Sequence, residues 1–293
     1  MKHSLNQNNQ FPFAPPRGSG GLHFFILWVM LFVFATVEAQ NEKQYLSFDL
    51  GGGIHSLSYD VPKGSVKSHY GYTATVGYSY FFSPGWGVGS GVGFRSLGAA
   101  PTLNGLSGTP SVDADGDSYE FRNNFKDWKE DQRVLLLDVP LTVQYRHSIS
   151  EKVGLLARVG GQVSIPVNSR YKVTNGEMVT TGYYSQWHAE LSDLPQHGLS
   201  TYSNNFSGTM DLKVAYWGIA DVGCTFKLSQ QLNFYVGGYF DYGLNTITTP
   251  GTKQVYQPDG TYNGILSSDQ VKEVKPIAFG LKVGIQWKVP GMK

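Results

Sequence analysis

Residues 132–165 constrain the fold more than any other stretch. Leu135, Leu137, Val139, Leu141, Val143 and Tyr145 recur at every second position, with Val134, Leu136, Asp138, Pro140, Thr142, Gln144 and Arg146 between them. After a polar segment at 148–152 the alternation resumes. Val153, Leu155, Ala157, Val159, Val163 and Ile165 then oppose Gly154, Leu156, Arg158, Gly160, Gln162 and Ser164. A period of two broken by a short polar turn is a β-hairpin. Each arm is about twice the usual five or six residues. Such length, with one wholly apolar face, suits strands that cross a bilayer.

The N-terminus reads as a targeting segment. Residues 1–21 are polar and carry Lys2 and Arg17, 22–37 are apolar apart from His23 and Thr36, and Val37-Glu38-Ala39 offers small residues at −3 and −1. That order describes a signal peptide over 1–39 cleaved after Ala39, leaving a barrel domain over 40–293. No Cys lies near the cleavage site to receive a lipid. Later in the chain no apolar run is long enough for a spanning helix, so a membrane crossing must use strands.

Six further segments alternate in the same way: 45–54, 70–82, 86–96, 211–228, 231–244 and 274–288. With the hairpin they make eight. Tight turns join the second to the third, fourth to fifth and sixth to seventh. The other links run to roughly 15, 35, 45 and 30 residues, against a usual median of about five. The expected fold is therefore all-β, an eight-stranded antiparallel up-and-down transmembrane barrel with short periplasmic turns and long extracellular loops.

A soluble eight-stranded barrel has the same alternation turned inside out. Glycine decides between them. Gly87, Gly89, Gly91 and Gly93 share one face of the third segment, and the matching face elsewhere holds small residues and single charges. A narrow lumen accepts that mixture, whereas a ligand pocket built from it would be odd. The alternating glycines are followed by no helix, so they are not a phosphate loop.

The segment Leu137-Asp138-Val139-Pro140-Leu141, followed by Tyr145-Arg146, resembles a strand of the PorT-like outer-membrane β-barrel family of Gram-negative bacteria. Gly51-Gly52-Gly53 and a closing strand ending in Trp287 are similar too. The resemblance implies a small surface barrel, or a component that assists secretion. It brings no functional residues with it.

The inward charges are Asp49, Arg95, Asp138, Arg146, Arg158, Asp221, Asp241 and Lys282. Counted from the periplasmic end, Asp49, Arg158, Asp221 and Lys282 form a lower layer, and Arg95, Asp138 and Asp241 an upper one. Arg158–Asp221 and Lys282–Asp49 are the expected pairs. Together the layers predict a plugged lumen that holds the barrel's register, since eight strands leave no aqueous channel.

Asp113, Asp115 and Asp117 alternate in the second long loop, with Glu120 three residues further on, and resemble the opening of a dockerin-type calcium loop. Position 12 is Asn124 in place of the bidentate acid, so calcium is a weak candidate and a solvated acidic loop the plainer reading. No other cofactor is expected. His188, Asp193 and His197 lie close in sequence but at no triad spacing, and a charged, glycine-rich lumen cannot measure an acyl chain, so no enzyme is expected. Asn175-Gly176 and 255–262 read as hairpin turns within the long loops. Tyr183, Tyr184, Trp187 and Tyr202 fit an adhesive surface or an upper aromatic girdle.

A formal net charge of +1 gives no bulk attraction to nucleic acid, and one cysteine, Cys224, forms no disulfide within the chain. The expected protein is a monomer in outer-membrane lipid. It would act structurally, or bind an extracellular ligand through 97–131 and 167–210. The alternative is an accessory part of a secretion or envelope-assembly complex with an envelope protein as partner.

Overall fold

A computed structural model describes residues 43–203 and 206–289; the expected signal peptide, 1–39, lies outside the described residues. Its ring strands are β1 (Gln44–Ser58), β2 (Tyr70–Phe81), β3 (Trp86–Val112), β4 (Ser118–Ser148), β5 (Val153–Tyr184), β6 (Ala215–Lys227), β7 (Leu232–Gly243) and β8 (Lys275–Lys288). Each is antiparallel to its sequence neighbours, and β8 pairs back onto β1 over Tyr45↔Lys288 to Ser58↔Lys275. The ring of eight is closed, so its strands leave no edge there.

The alternating apolar residues face outward. Leu141 is 67% exposed and Leu281 71%, while Asp138 and Gln144, on the opposite face of the same strand as Leu141, are buried. That inversion of a soluble protein suits hydrocarbon outside and a filled lumen within. Exposed aromatics border the band at both ends, with Phe82, Trp86 and Trp287 by the short turns and Tyr70, Tyr72, Tyr216 and Tyr242 at the far side. Leu141→Arg places a charge in the middle of this band and is expected to cost about 2–4 kcal/mol. Urea titrations in liposomes measure it, and an unchanged midpoint would mean that Leu141 does not face lipid.

The long loops need correction. Residues 97–131 and most of 167–210 are not irregular: β3, β4 and β5 run on for 27, 31 and 32 residues, and only 113–117 separates β3 from β4. The three strands rise far beyond the apolar band as a wall. Its edges are paired, by Gly64–Ser68 on β3 and by Ala189–Leu191, Thr201–Tyr202 and Ser207–Thr209 on β5. Paired edges keep so long a wall from recruiting other chains.

Asn175-Gly176 is no hairpin turn either. It lies inside β5 at an irregularity facing Lys126–Lys129 of β4. Gly176 has φ +103°, and a Cβ there would stand 2.4 Å from the Asp127 carbonyl oxygen, so the site requires glycine. The extra residues shift the inward phase from Phe121 and Phe125 to Trp128 and Glu130. The hairpin expected at 255–262 does form, with a Tyr256↔Tyr262 bridge and Gln257 N–H donating to the Thr261 carbonyl.

Residues 245–274 fold into the mouth of the barrel. Ile247, Val255, Tyr256, Ile265, Leu266 and Val271 pack on Phe121, Trp128, Tyr171 and Met178 of the wall, and the cluster continues down to Trp217 and Ala278. Above the membrane the chain thus has a buried apolar core of the ordinary kind.

Candidate functional site

The lumen is closed at three levels. At the turn end, Phe81, Leu156 and Tyr235 pack together with Tyr45. Arg146 closes that end by donating to the Pro84 carbonyl and the Tyr45 hydroxyl, both at 2.9 Å, with its guanidinium over the Phe81 ring.

Above this, Arg158 and Asp221 are direct partners across β5 and β6, and Arg158 Nε donates to Asp221 Oδ1 at 2.7 Å. Arg158 Nη1 also reaches Asp49 Oδ2 on β1, at 3.0 Å, on the opposite side of the ring. The expected pair Lys282–Asp49 does not form. Opposite Asp49 on β8 stands Gly284, whereas Lys282 faces Gly51 on one side and Gly237 on the other. With no side chain on Gly237 to block it, Lys282 reaches past β7 to Asp221 Oδ2 at 3.0 Å.

The upper level is Arg95. Its Nε donates to Asp138 Oδ2 on neighbouring β4 at 2.8 Å, and its Nη2 to Asp241 Oδ2 on β7, across the ring, at 2.7 Å. Trp217 lies beneath the guanidinium at 4.7 Å, and Ser164 donates to the free oxygen of Asp138. A polar cavity of about 60 Å³ lies beside both arginines and Asp49, room for a few waters rather than a path.

A double-mutant cycle on Arg158→Ala and Asp221→Ala should give a coupling of about 1–3 kcal/mol by folding in detergent micelles. Each single variant leaves the other residue of the pair with one ion-pair partner in place of two, Lys282 for Asp221 and Asp49 for Arg158. A coupling near zero would contradict the pairing.

At the opposite extreme of the molecule, the tip of β3–β4, residues 191–202 and the 255–262 hairpin enclose a cleft of about 780 Å³. Tyr119, Tyr184, Tyr202 and Tyr256 line it together with Asp113, Asp115, Asp259 and His197. Tyr119 stacks on Tyr184 at 5.2 Å and Tyr184 on Trp187 at 5.3 Å, so three rings form one column. Tyr202 packs on Tyr256 at 5.1 Å. These aromatics lie roughly 15–20 residues along the strands beyond the apolar band, tens of Å at about 3.3 Å per residue, and are therefore not a membrane girdle. Tyr183 instead faces Arg122, whose guanidinium lies 3.9 Å from its ring centroid. His188 closes the short 185–187 turn.

The calcium candidate is not assembled. Asp113 Oδ1 accepts the backbone N–H groups of Asp115 and Asp117, and its Oδ2 accepts the Tyr184 hydroxyl at 3.0 Å. Glu120 pairs with Arg122 at 2.7 Å. Asp113 caps a turn, and strand alternation carries Glu120 away from it. Among the described residues no three His, Cys, Asp or Glu side chains are placed to hold a metal ion.

A closed ring with an apolar exterior and a salt-bridged lumen is an outer-membrane architecture, and comparison with known families agrees. A family model described as outer membrane protein beta-barrel domain matches residues 38–249. The chain belongs to that family. Among solved structures it is similar to Neisserial surface protein A (11% identity, 86% of this chain and 100% of that one, TM-score 0.39). It is also similar to Ail of Yersinia pestis, solved in complex with the heparin analogue sucrose octasulfate (13% identity, 84% and 100%, TM-score 0.33). OprG of Pseudomonas aeruginosa is a third (11% identity, 87% and 100%, TM-score 0.35). No curated protein matches the chain. The protein is an outer-membrane β-barrel.

The sequence reading passed over a second buried group. Glu130 is fully buried under the cap. Its Oε1 accepts the Tyr262 hydroxyl and the Ile265 N–H, and its Oε2 accepts the Gln132 side-chain amide. Gln132 in turn accepts the Tyr59 hydroxyl, and Trp128 Nε1 donates to Tyr262. Burial raises the Glu130 carboxyl above its usual range, against the three donors. The signal was present in the run Lys129-Glu130-Asp131-Gln132-Arg133. Its odd positions face out, where Arg133 pairs with Asp131, and its even positions face in.

Proposed function

We propose that the protein is a monomeric surface-binding barrel, set in outer-membrane lipid, that presents a folded extracellular head and transports nothing through its lumen. One observation carries the reading: two lumenal arginines tie opposite walls of the ring together, Arg158 reaching Asp49 and Arg95 reaching Asp241. A lumen tied across at two levels has no use as a pore. Three strands are meanwhile extended and capped to hold the cleft well above the membrane. Binding sites on a rigid scaffold keep their geometry at low entropic cost.

The resemblance of Leu137–Leu141 to PorT-like barrels supports a different role, in secretion or envelope assembly, with partners on the short turns or the lipid face. Two measurements separate the readings. Planar bilayers holding the full chain should show no steady conductance, and extraction of the tagged protein into detergent should recover it alone. A steady open conductance would overturn the closed-lumen reading, and a stoichiometric envelope partner would move the function to the accessory role.

A further inference from the structure

The cleft at the tip has a chemistry that favours one class of ligand. Its lining contains Asp113, Asp115 and Asp259 and no Lys or Arg. Backbone N–H groups donate to Asp113 and Asp259 and hold both carboxyls below the usual range, so they are ionised at neutral pH. Burial raises the Tyr184 hydroxyl to about 12, and it remains a neutral donor to Asp113. The nearby guanidinium of Arg122 is occupied by Glu120 and lies outside the lining.

The walls that carry these charges are aromatic. Tyr119 and Tyr184 are stacked within the Trp187 column on one side, and Tyr202 packs on Tyr256 on the other. The face of an aromatic ring is electronegative and attracts cations, the more so beside carboxylates. At about 780 Å³ the cleft lies within the size range of small-molecule sites. Anionic ligands are repelled by all three aspartates. A neutral sugar can stack on these rings and donate its hydroxyls to the carboxylates, but it leaves their negative charge uncompensated, whereas a cation neutralises it.

We propose that this cleft binds organic cations, ammonium or guanidinium groups held between its tyrosine walls and the aspartates at 113, 115 and 259. The inference rests on the surface-binding reading and names its ligand class. The same groups occur on free polyamines and on the Lys and Arg side chains of basic peptides, and separate probes distinguish the two sources.

Calorimetry on the full chain in a maltoside detergent, with spermine, choline, triarginine and the neutral sugar chitotriose as probes, tests it. At least one cation should bind, more weakly as salt rises. Binding by spermine or choline but not triarginine assigns the small-molecule source; the reverse assigns the peptide source. Asp115→Asn with Asp259→Asn should weaken the bound cation by about tenfold or more, and Tyr119→Ala by several-fold. Asp113 is left intact in these variants because its carboxylate holds two backbone N–H groups and the Tyr184 hydroxyl, whereas Asp259→Asn keeps an amide oxygen for the single Thr261 N–H. Failure of every cation to bind, or binding that the double variant leaves unchanged, overturns the inference. Chitotriose binding that is lost in Tyr119→Ala, with no cation bound, would overturn the ligand class and leave the surface-binding function standing. A steady conductance would remove that function independently of either result.

Discussion

Arg95→Ala is expected to be the most destabilising single substitution in the lumen. It leaves Asp138 and Asp241, whose side chains are 2% and 5% exposed, without the cation they share. Orphaning a buried charge costs about 3–5 kcal/mol, because the group left behind keeps its desolvation penalty and loses the attraction that offset it. Here two are orphaned, and Trp217 also loses the guanidinium above it. Arg95→Lys should recover little. An ammonium is one point charge, whereas Nε and Nη2 donate in divergent directions to opposite walls. Arg95→Met combined with Asp138→Asn and Asp241→Asn should recover much of the loss, since no charge is then stranded. Urea unfolding in liposomes reads all of these, and a single-variant loss below about 1 kcal/mol would mean that the upper layer does not hold the barrel.

Legibility in the sequence followed the solvent. Within the membrane band each strand separates hydrocarbon from a polar lumen, so the period of two is stark, as at Leu135–Tyr145, and the ring follows from it. Above the band the outer face meets water. Lys129, Asp131 and Arg133 replace the leucines, and alternation of hydrophobic with polar fades although the strand continues. The bulge of Asp127 against Gly176 then reverses the phase, which makes a continuous strand look like two fragments around a turn. The charge layers were legible because inward charges are few and their depths can be counted. The Lys282–Asp49 pairing was not, because the choice depends on which neighbour is glycine, and Gly237 leaves Lys282 free to reach Asp221. The cleft was the least legible of all. It joins residues near 113, 197 and 259, which only the capped wall brings together.

Glu130 provides a test of the cap itself. Glu130→Ala removes the acceptor for the Tyr262 hydroxyl, the Ile265 N–H and the Gln132 amide, all beneath a packed apolar core. An unsatisfied buried donor costs about 1–3 kcal/mol, so closure of 245–274 should weaken by on the order of 3 kcal/mol or more. Glu130→Gln should keep the cap shut, because Gln132 can turn its amide over and the Tyr59 hydroxyl can rotate to accept it. The wild-type protein and Glu130→Gln differ in pH dependence. The folded carboxyl titrates above its ordinary value of 4.5, so the capped state binds a proton more readily than the uncapped one. For an acid shifted in that direction, stability is greatest below the ordinary value and falls as pH rises through the raised one. The groups facing Glu130 are Tyr262, Gln132 and the Ile265 N–H, with Tyr59 and Tyr171 nearby, and no cation lies among them to reverse the sign. Hydrogen exchange at the Ile265 amide isolates this site from the lumenal carboxylates. Relative to Glu130→Gln, which controls for the intrinsic effect of pH on exchange, the wild-type amide should gain protection as pH falls toward 4.5. Equal protection in both at every pH would mean that Glu130 does not titrate against the cap.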